Sequence, residues 1–231
     1  MDTAVGRLLV QAWSHHTTDP ANTVYDETLH EVASRVAQRE CLSKADIGSL
    51  VLWKRITAQA TWATRLQLIP DVDVRRVTHA AYVHARDPAL STPAAGQAAR
   101  NALWDLPGMR GTGALSSALL LSMAPDRMAV WDRRVAQALT ALGAHPNSGL
   151  NFYGRYLSTA LVLAEQMSTV AADHIFTPRD VDVALYAIAG SPDLLHAARH
   201  AGGRAQHSHM SGGTGTGRPV ANVTTRSSPG Q

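Results

Sequence analysis

Cysteine is nearly absent from this chain. Cys41 is the only one in 231 residues, so no intramolecular disulfide can form, and a four-cysteine iron–sulfur cluster is excluded. Such a count suits a reducing, cytoplasmic setting. Lysine is almost as scarce. Lys44 and Lys54 are the only two, and the other 19 of the 21 strong bases are arginines. A G+C-rich coding sequence produces that bias by itself, although the guanidinium fork also suits phosphate. No apolar run approaches the roughly 20 residues needed to cross a bilayer, and residues 1–14 are amphipathic without the apolar centre of a signal peptide. Strand-like alternation is missing throughout, as is any internal repeat, so a β-sheet nucleotide-binding fold is not expected. Residues 202–231 lack acidic groups and have little apolar content. Rich in Gly, Ser, Thr and Pro, they cannot bury enough surface to offset the entropy of ordering. They are expected to form a disordered tail, with Arg204, Arg218 and Arg226 available for weak contact to DNA.

What remains is an ordinary globular composition: 45% hydrophobic, 17% charged, net charge +3 and pI about 9.3. That balance permits a nucleic-acid partner without demanding one. The length suffices for one sizeable core or two small helical lobes sharing a cleft. Helical periodicity runs almost throughout. Helices are expected over about 3–13, with Asp19-Pro20 as a break after it, then 26–39, one opening at 43, 59–66, one opening at 73, a small-residue face over 94–103, 114–123, 132–142, 150–167, one from 177 to 190, and 191–200. Ser43 with Asp46, and Thr177 with Pro178 and Asp180, are N-terminal signals. Gly143 and Gly190 are stops. Residues 1–201 are therefore taken as one all-α domain and 202–231 as the tail.

The densest information lies in residues 106–135, LPGMRGTGALSSALLLSMAPDRMAVWDRRV. Three glycines, Gly108, Gly111 and Gly113, sit between two apolar segments. Glycine lets backbone approach a phosphate closely, and a helix beginning just after it points free N–H groups at that anion. Asp132 follows at the start of the next helix. An ionised carboxylate there, favoured by a helix N-terminus and by Arg133 and Arg134, could act on whatever the glycine turn holds. It could equally serve only as an N-cap.

This stretch resembles the helix-hairpin-helix (HhH-GPD) DNA glycosylase superfamily, whose signature is an LPGxGxxxA-type hairpin followed by a catalytic aspartate. The match is concentrated in 106–135 and extends over roughly 43–190. Two registers are open. Either Leu106-Pro107-Gly108 is the family's LPG, with Arg110 in place of the second glycine, or Gly111-Thr112-Gly113 is the turn. The resemblance implies two helical lobes around a cleft and a duplex-DNA backbone held by Gly108, Arg110, Gly111, Thr112, Gly113, Arg133 and Arg134. It also implies that Asp132 faces C1′ of an extruded nucleotide and opposes oxocarbenium charge, as in glycoside hydrolysis. Members that also cleave the strand use a lysine on the second hairpin helix. Thr112 or Leu115 occupies that place here, so water is the expected nucleophile of a monofunctional enzyme. Trp53, Trp104 and Trp131 are candidate walls for a base pocket, with Trp62 a further possibility, although a tryptophan at such positions is more often simple core. Lys54 and Arg55 could reach a phosphate.

His196 and His200 lie one helical turn apart, and His207 and His209 follow, but no carboxylate or cysteine completes a ligand set. No metal and no cofactor are expected. The overall expectation is a monomeric, cytoplasmic, DNA-binding protein without membrane attachment that excises a damaged or modified base. The alternatives are a binder that kept the hairpin without the chemistry, and a helical interaction module with no nucleic-acid role.

Overall fold

The computed structural model describes residues 3–57, 61–110, 113–144 and 149–210, with side chains to residue 203. Among these residues there are eleven α-helices, a single 3-10 turn at Leu103–Asp105, and no strand. The helices are α1 (Thr3–Thr17), α2 (Pro20–Arg39), α3 (Lys44–Trp53), α4 (Thr61–Gln67), α5 (Asp71–Arg86), α6 (Thr92–Ala102), α7 (Ala114–Met123), α8 (Arg133–Ala141), α9 (Phe152–Val170), α10 (Pro178–Gly190) and α11 (Pro192–Met210). No helix among the described residues is long and apolar enough to cross a membrane.

Local chemistry sets several helix starts. Ser43 and Thr177 each form a full capping box, with Asp46 and Asp180 respectively, which satisfies two otherwise orphaned N–H groups apiece. Asp19-Pro20 reads as a break in the sequence, yet it starts α2. Asp19 caps with its side chain, and proline takes the first turn, where its missing N–H costs nothing. That choice lengthens α2 by about two turns beyond the expected start and places Asn22, Tyr25 and Asp26 on it. Similarly, α11 continues to Met210 rather than ending near His200, and Gly202 lies against the Leu142 backbone. Residues 211–231 of the expected tail lie outside the described residues.

Packing selects some faces that periodicity does not. In α6 the expected small-residue face of Ala94, Ala95, Ala98, Ala102 and Leu103 is met at Ala95 and Leu103, whereas Ala94 is exposed, Ala98 and Ala102 are half-buried, and Gly96 and Ala99 complete the buried side. In α9, spacing of three and four along the sequence expects a stripe of Leu150, Tyr153, Leu157, Leu161 and Ala164, of which Tyr153, Leu157 and Ala164 are buried. Leu150 and Leu161 are exposed, while Phe152, Tyr156, Ala160, Leu163 and Met167 join the core. The centre of the molecule is α7, buried from Leu115 through Met123. It packs against α2, α3, α5 and α6. A helix apolar on every side has no amphipathic stripe to read, as expected for one surrounded by others.

Between α7 and α8 the chain is irregular but tightly held. Tyr153 Oη donates to the Ala129 carbonyl at 2.8 Å, and Tyr156 Oη to the Val130 carbonyl at 2.9 Å. The Val130 N–H donates to Asp182 Oδ2 at 2.7 Å, and the Trp131 N–H to Ser117 Oγ at 3.0 Å. Buried backbone outside a helix needs such partners. For these four groups, side chains from α7, α9 and α10 supply them. The result is a rigid lead-in that fixes where Asp132 emerges.

Candidate functional site

Asp132 stands at the N-cap of α8 with an extended backbone, φ −145° and ψ −178°. Its two carboxylate oxygens do different things. Oδ1 accepts the Val135 N–H at 2.9 Å. Oδ2 accepts from the Lys54 ammonium at 2.7 Å, across 78 residues of sequence. The side chains are 15% and 11% exposed. The cap and the cleft, alternatives in the sequence, are therefore compatible in space.

Both groups line a cavity of about 180 Å³. That is small beside the roughly 300–1,000 Å³ of pockets that enclose drug-sized ligands, and it suits one flat heterocycle. Four helices and the α7–α8 link converge on it. The end of α1 contributes His16, α2 contributes Asn22, Tyr25 and Asp26, and the end of α3 contributes Trp53, Lys54 and Arg55. Arg179, Asp182 and Tyr186 come from α10.

Alternating charges line this site. Arg179 donates to Asp182 Oδ1 at 2.7 Å and to Asp26 Oδ2 at 2.9 Å, while the Trp53 indole N–H donates to Asp26 Oδ1 at 3.0 Å. Burial pushes the Asp182 carboxyl up to about 6 in spite of Arg179 and the Val130 N–H, and the neighbouring Asp132 charge adds to the rise. Burial acts the same way on Asp132. There it is outweighed by the charge and hydrogen bond of Lys54 together with the Val135 and Arg134 N–H groups, and Asp132 ends below the ordinary carboxylate range. Two carboxylates on one wall are thus shifted in opposite directions, Asp182 up by burial and Asp132 down by Lys54 and two backbone N–H groups. His16, half-buried beside Arg179, is lowered by burial and by that cation and stays neutral at pH 7.

The turn that ends α3 aims Lys54. The Ile56 N–H reaches back to the Val51 carbonyl and the Arg55 N–H to that of Leu52, the paired closure of a Schellman motif. Arg55 occupies the left-handed position at φ 52°, where glycine is the usual residue and a side chain costs about 1–2 kcal/mol. The Arg55 guanidinium settles over Tyr25 at 5.2 Å, and the Lys54 ammonium lies 5.4 Å from the Trp53 ring centre and 5.6 Å from that of Tyr186.

The other residues singled out by sequence fall in several places. Arg133 and Arg134 are exposed on the first turn of α8, and Arg134 stacks on Tyr186 at 4.5 Å. Arg110 is exposed and donates to the Trp104 carbonyl. Gly113 is the N-cap of α7, with open space where a side chain would stand. Gly108 has φ +85°, and a Cβ there would lie 2.8 Å from the Trp62 ring. Its missing side chain is therefore used by an indole of the same chain. Gly111 and Thr112 lie outside the described residues.

Two of the three proposed pocket tryptophans need correction. Trp104 is 43% exposed, away from the cavity. Trp131 stacks edge-on against Phe152 and Tyr156 in the α9 core. Only Trp53 among the described tryptophans lines the cavity, and Tyr25 and Tyr186 supply the remaining aromatic faces. Sequence reasoning missed both tyrosines, along with Asp26, Arg179 and Asp182. The only local trace is the Arg179–Asp182 spacing of three on a helix, which pairs opposite charges.

His196 and His200 touch each other through Nε2 atoms at 2.9 Å. Among the described residues no group of three or more His, Cys, Asp or Glu could hold a metal ion. No family model matches the chain, and neither a curated protein nor a solved structure shows significant similarity to it.

Proposed function

We propose that this protein binds duplex DNA and cleaves the N-glycosidic bond of a nucleotide turned out into the cavity beside Asp132. The carrying observation is the division of labour on that carboxylate. One oxygen is tied to the α8 N-terminus, the other accepts from the Lys54 ammonium, and the carboxylate they share is held ionised at the wall of a small aromatic cavity. A departing base leaves positive charge on C1′ and the ring oxygen. A fixed, ionised, poorly solvated carboxylate beside that carbon opposes the charge without having to reorganise. Trp53, Tyr25 and Tyr186 offer the apolar faces on which an extruded base stacks.

The hairpin resemblance supplies the rest of the reading. Two helical lobes flank the cleft. The N-terminus of α7, opening at Gly113, offers its backbone N–H groups and helix dipole to one phosphate, and Arg133 and Arg134 contact further phosphates near the cavity mouth. Binding of this kind is nearly independent of sequence, and its affinity falls with salt at a log–log slope of about −0.9 per phosphate neutralised.

The test is a panel of duplexes each carrying one oxidised, alkylated, deaminated or mismatched base, followed by alkali to reveal abasic sites. Wild-type protein is expected to release at least one of them, and Asp132→Asn to bind the same duplex and release none. Equal release by both proteins removes Asp132 from the chemistry. Binding without release from any duplex leaves a non-catalytic DNA-binding protein.

A further inference from the structure

Lys54 is one of two lysines in the chain, and the fold brings it to the reacting end of the cavity. It arrives from α3, on a turn whose left-handed Arg55 fixes the chain direction. It sits almost fully buried, 2.7 Å from Asp132 Oδ2, between the faces of Trp53 and Tyr186. As a stabilising device this arrangement is poor. Desolvating a lysine and an aspartate cancels most of their attraction, and a well-packed apolar pair would serve as well. As a chemical device it is well placed, because lysine carries a flexible stem and a dissociable ammonium suited to imine formation.

We infer that Lys54 is an amine nucleophile at C1′, so that the site forms a covalent imine with the deoxyribose and cleaves the strand as well as releasing the base. This rests on the reading of Asp132 as the carboxylate facing C1′. It replaces the expectation of a monofunctional enzyme. That expectation followed from the absence of lysine on the hairpin's second helix, where Leu115 is buried in the core. Here the amine reaches the same carbon from a different helix.

The step balances as follows. The Lys54 nitrogen forms a bond to C1′ as the C1′–base bond breaks. The bonding pair leaves with the base, which takes up the proton given by the Lys54 ammonium. The C1′–O4′ bond then opens, and a second proton passes from nitrogen to O4′, leaving a protonated imine. Loss of a C2′ proton expels the 3′-phosphate, and water later hydrolyses the imine to restore the amine. Asp132, hydrogen-bonded to Nζ, is the adjacent acceptor through which the departing protons pass.

The test uses the full chain and a duplex that already carries a single aldehydic abasic site, with cyanoborohydride present. On that substrate the amine condenses with the C1′ aldehyde and loses one water, and hydride reduces the imine to a stable secondary amine. A DNA–protein adduct is expected on a denaturing gel, absent from a duplex carrying a tetrahydrofuran site. Lys54→Arg keeps a cation beside Asp132 and should lower adduct yield at least 100-fold, whereas Lys44→Arg should leave it unchanged. Peptide mapping of the wild-type adduct should place the modification on Lys54, a readout that does not depend on any variant folding. No adduct, an adduct on Lys44 or the α-amino group, or undiminished trapping by folded Lys54→Arg would overturn the inference. Because this substrate has already lost its base, the two claims separate. Base release from the damaged-base panel without trapping removes Lys54 and keeps Asp132. Trapping without base release keeps Lys54 as a strand-cleaving amine and removes excision.

Discussion

Replacing Asp132 by Asn is the perturbation whose cost can be worked most directly from the structure. Asparagine retains an oxygen for the Val135 N–H, so the α8 cap largely survives. What it removes is the negative charge 2.7 Å from Lys54. An ammonium that is 11% exposed then faces a neutral amide. Breaking a buried pair by removing one partner typically costs about 3–5 kcal/mol, because the survivor is left uncompensated. Here the Trp53 and Tyr186 faces still attract the cation, which offsets about 1 kcal/mol. The expected loss is therefore about 2–4 kcal/mol. With a urea m-value of about 2 kcal/mol/M, that lowers the midpoint by about 1–2 M. Lys54→Met strands the carboxylate instead and should cost a comparable amount. The double variant Asp132→Asn/Lys54→Met strands neither, and its loss should fall short of the sum of the singles by about 1.5–3 kcal/mol. Urea unfolding followed by tryptophan fluorescence measures all four proteins. Single-variant losses below about 0.5 kcal/mol, or strict additivity, would refute the picture of a desolvated, mutually dependent pair.

Two further outcomes follow from packing and protonation. Asp182 has a carboxyl raised to about 6, well above its unfolded value. Its contribution to stability is therefore present at low pH and is lost as pH rises from about 4 through 6, reaching at most about 3 kcal/mol. Relative to wild type, Asp182→Asn should gain stability across that window in parallel urea titrations, whatever the constant offset from losing the Arg179 pair, and a difference independent of pH would contradict the assignment. Gly6 lets α1 approach α9 so closely that a Cβ there would lie 2.5 Å from the Gln166 carbonyl oxygen. Because the obstacle is backbone, Gly6→Ala should cost about 1–3 kcal/mol by thermal or urea unfolding, and no loss would mean that the two helices separate freely.

The sequence announced what depends on neighbours three or four residues apart. Ser43 with Asp46 and Thr177 with Asp180 are caps because their partners lie one helical turn ahead, and the structure forms both. The helix after the glycine turn begins at Ala114 and ends at Met123, as its apolar run between Gly113 and Pro125 suggests. The Asp19-Pro20 start was misread because a capping aspartate followed by proline can equally end a helix, and only the continuation decides. The candidate site was legible at Trp53, expected as a pocket wall and found lining the cavity, and at Asp132. Its partner Lys54 lies 78 residues away, and Asp26 and Arg179 are separated by 153. Only tertiary packing makes such neighbours. The tryptophans show the same limit. Each is compatible with core or cavity, and only the packing of α3 against α2, and of α9 behind the α7–α8 link, sends Trp53 to the cavity and Trp131 away from it.

The most direct measurement bypasses the identity of the base. A duplex in which one nucleotide is replaced by a pyrrolidine abasic analogue carries a positive charge at the sugar, where the departing base would leave it. The same duplex with tetrahydrofuran has the shape without the charge. If Asp132 opposes an oxocarbenium-like transition state, wild-type protein should bind the pyrrolidine duplex at least about 100-fold more tightly than the tetrahydrofuran duplex, and Asp132→Asn should bind the two alike. Equal affinity of wild type for both, or a preference that survives in Asp132→Asn, would contradict the account.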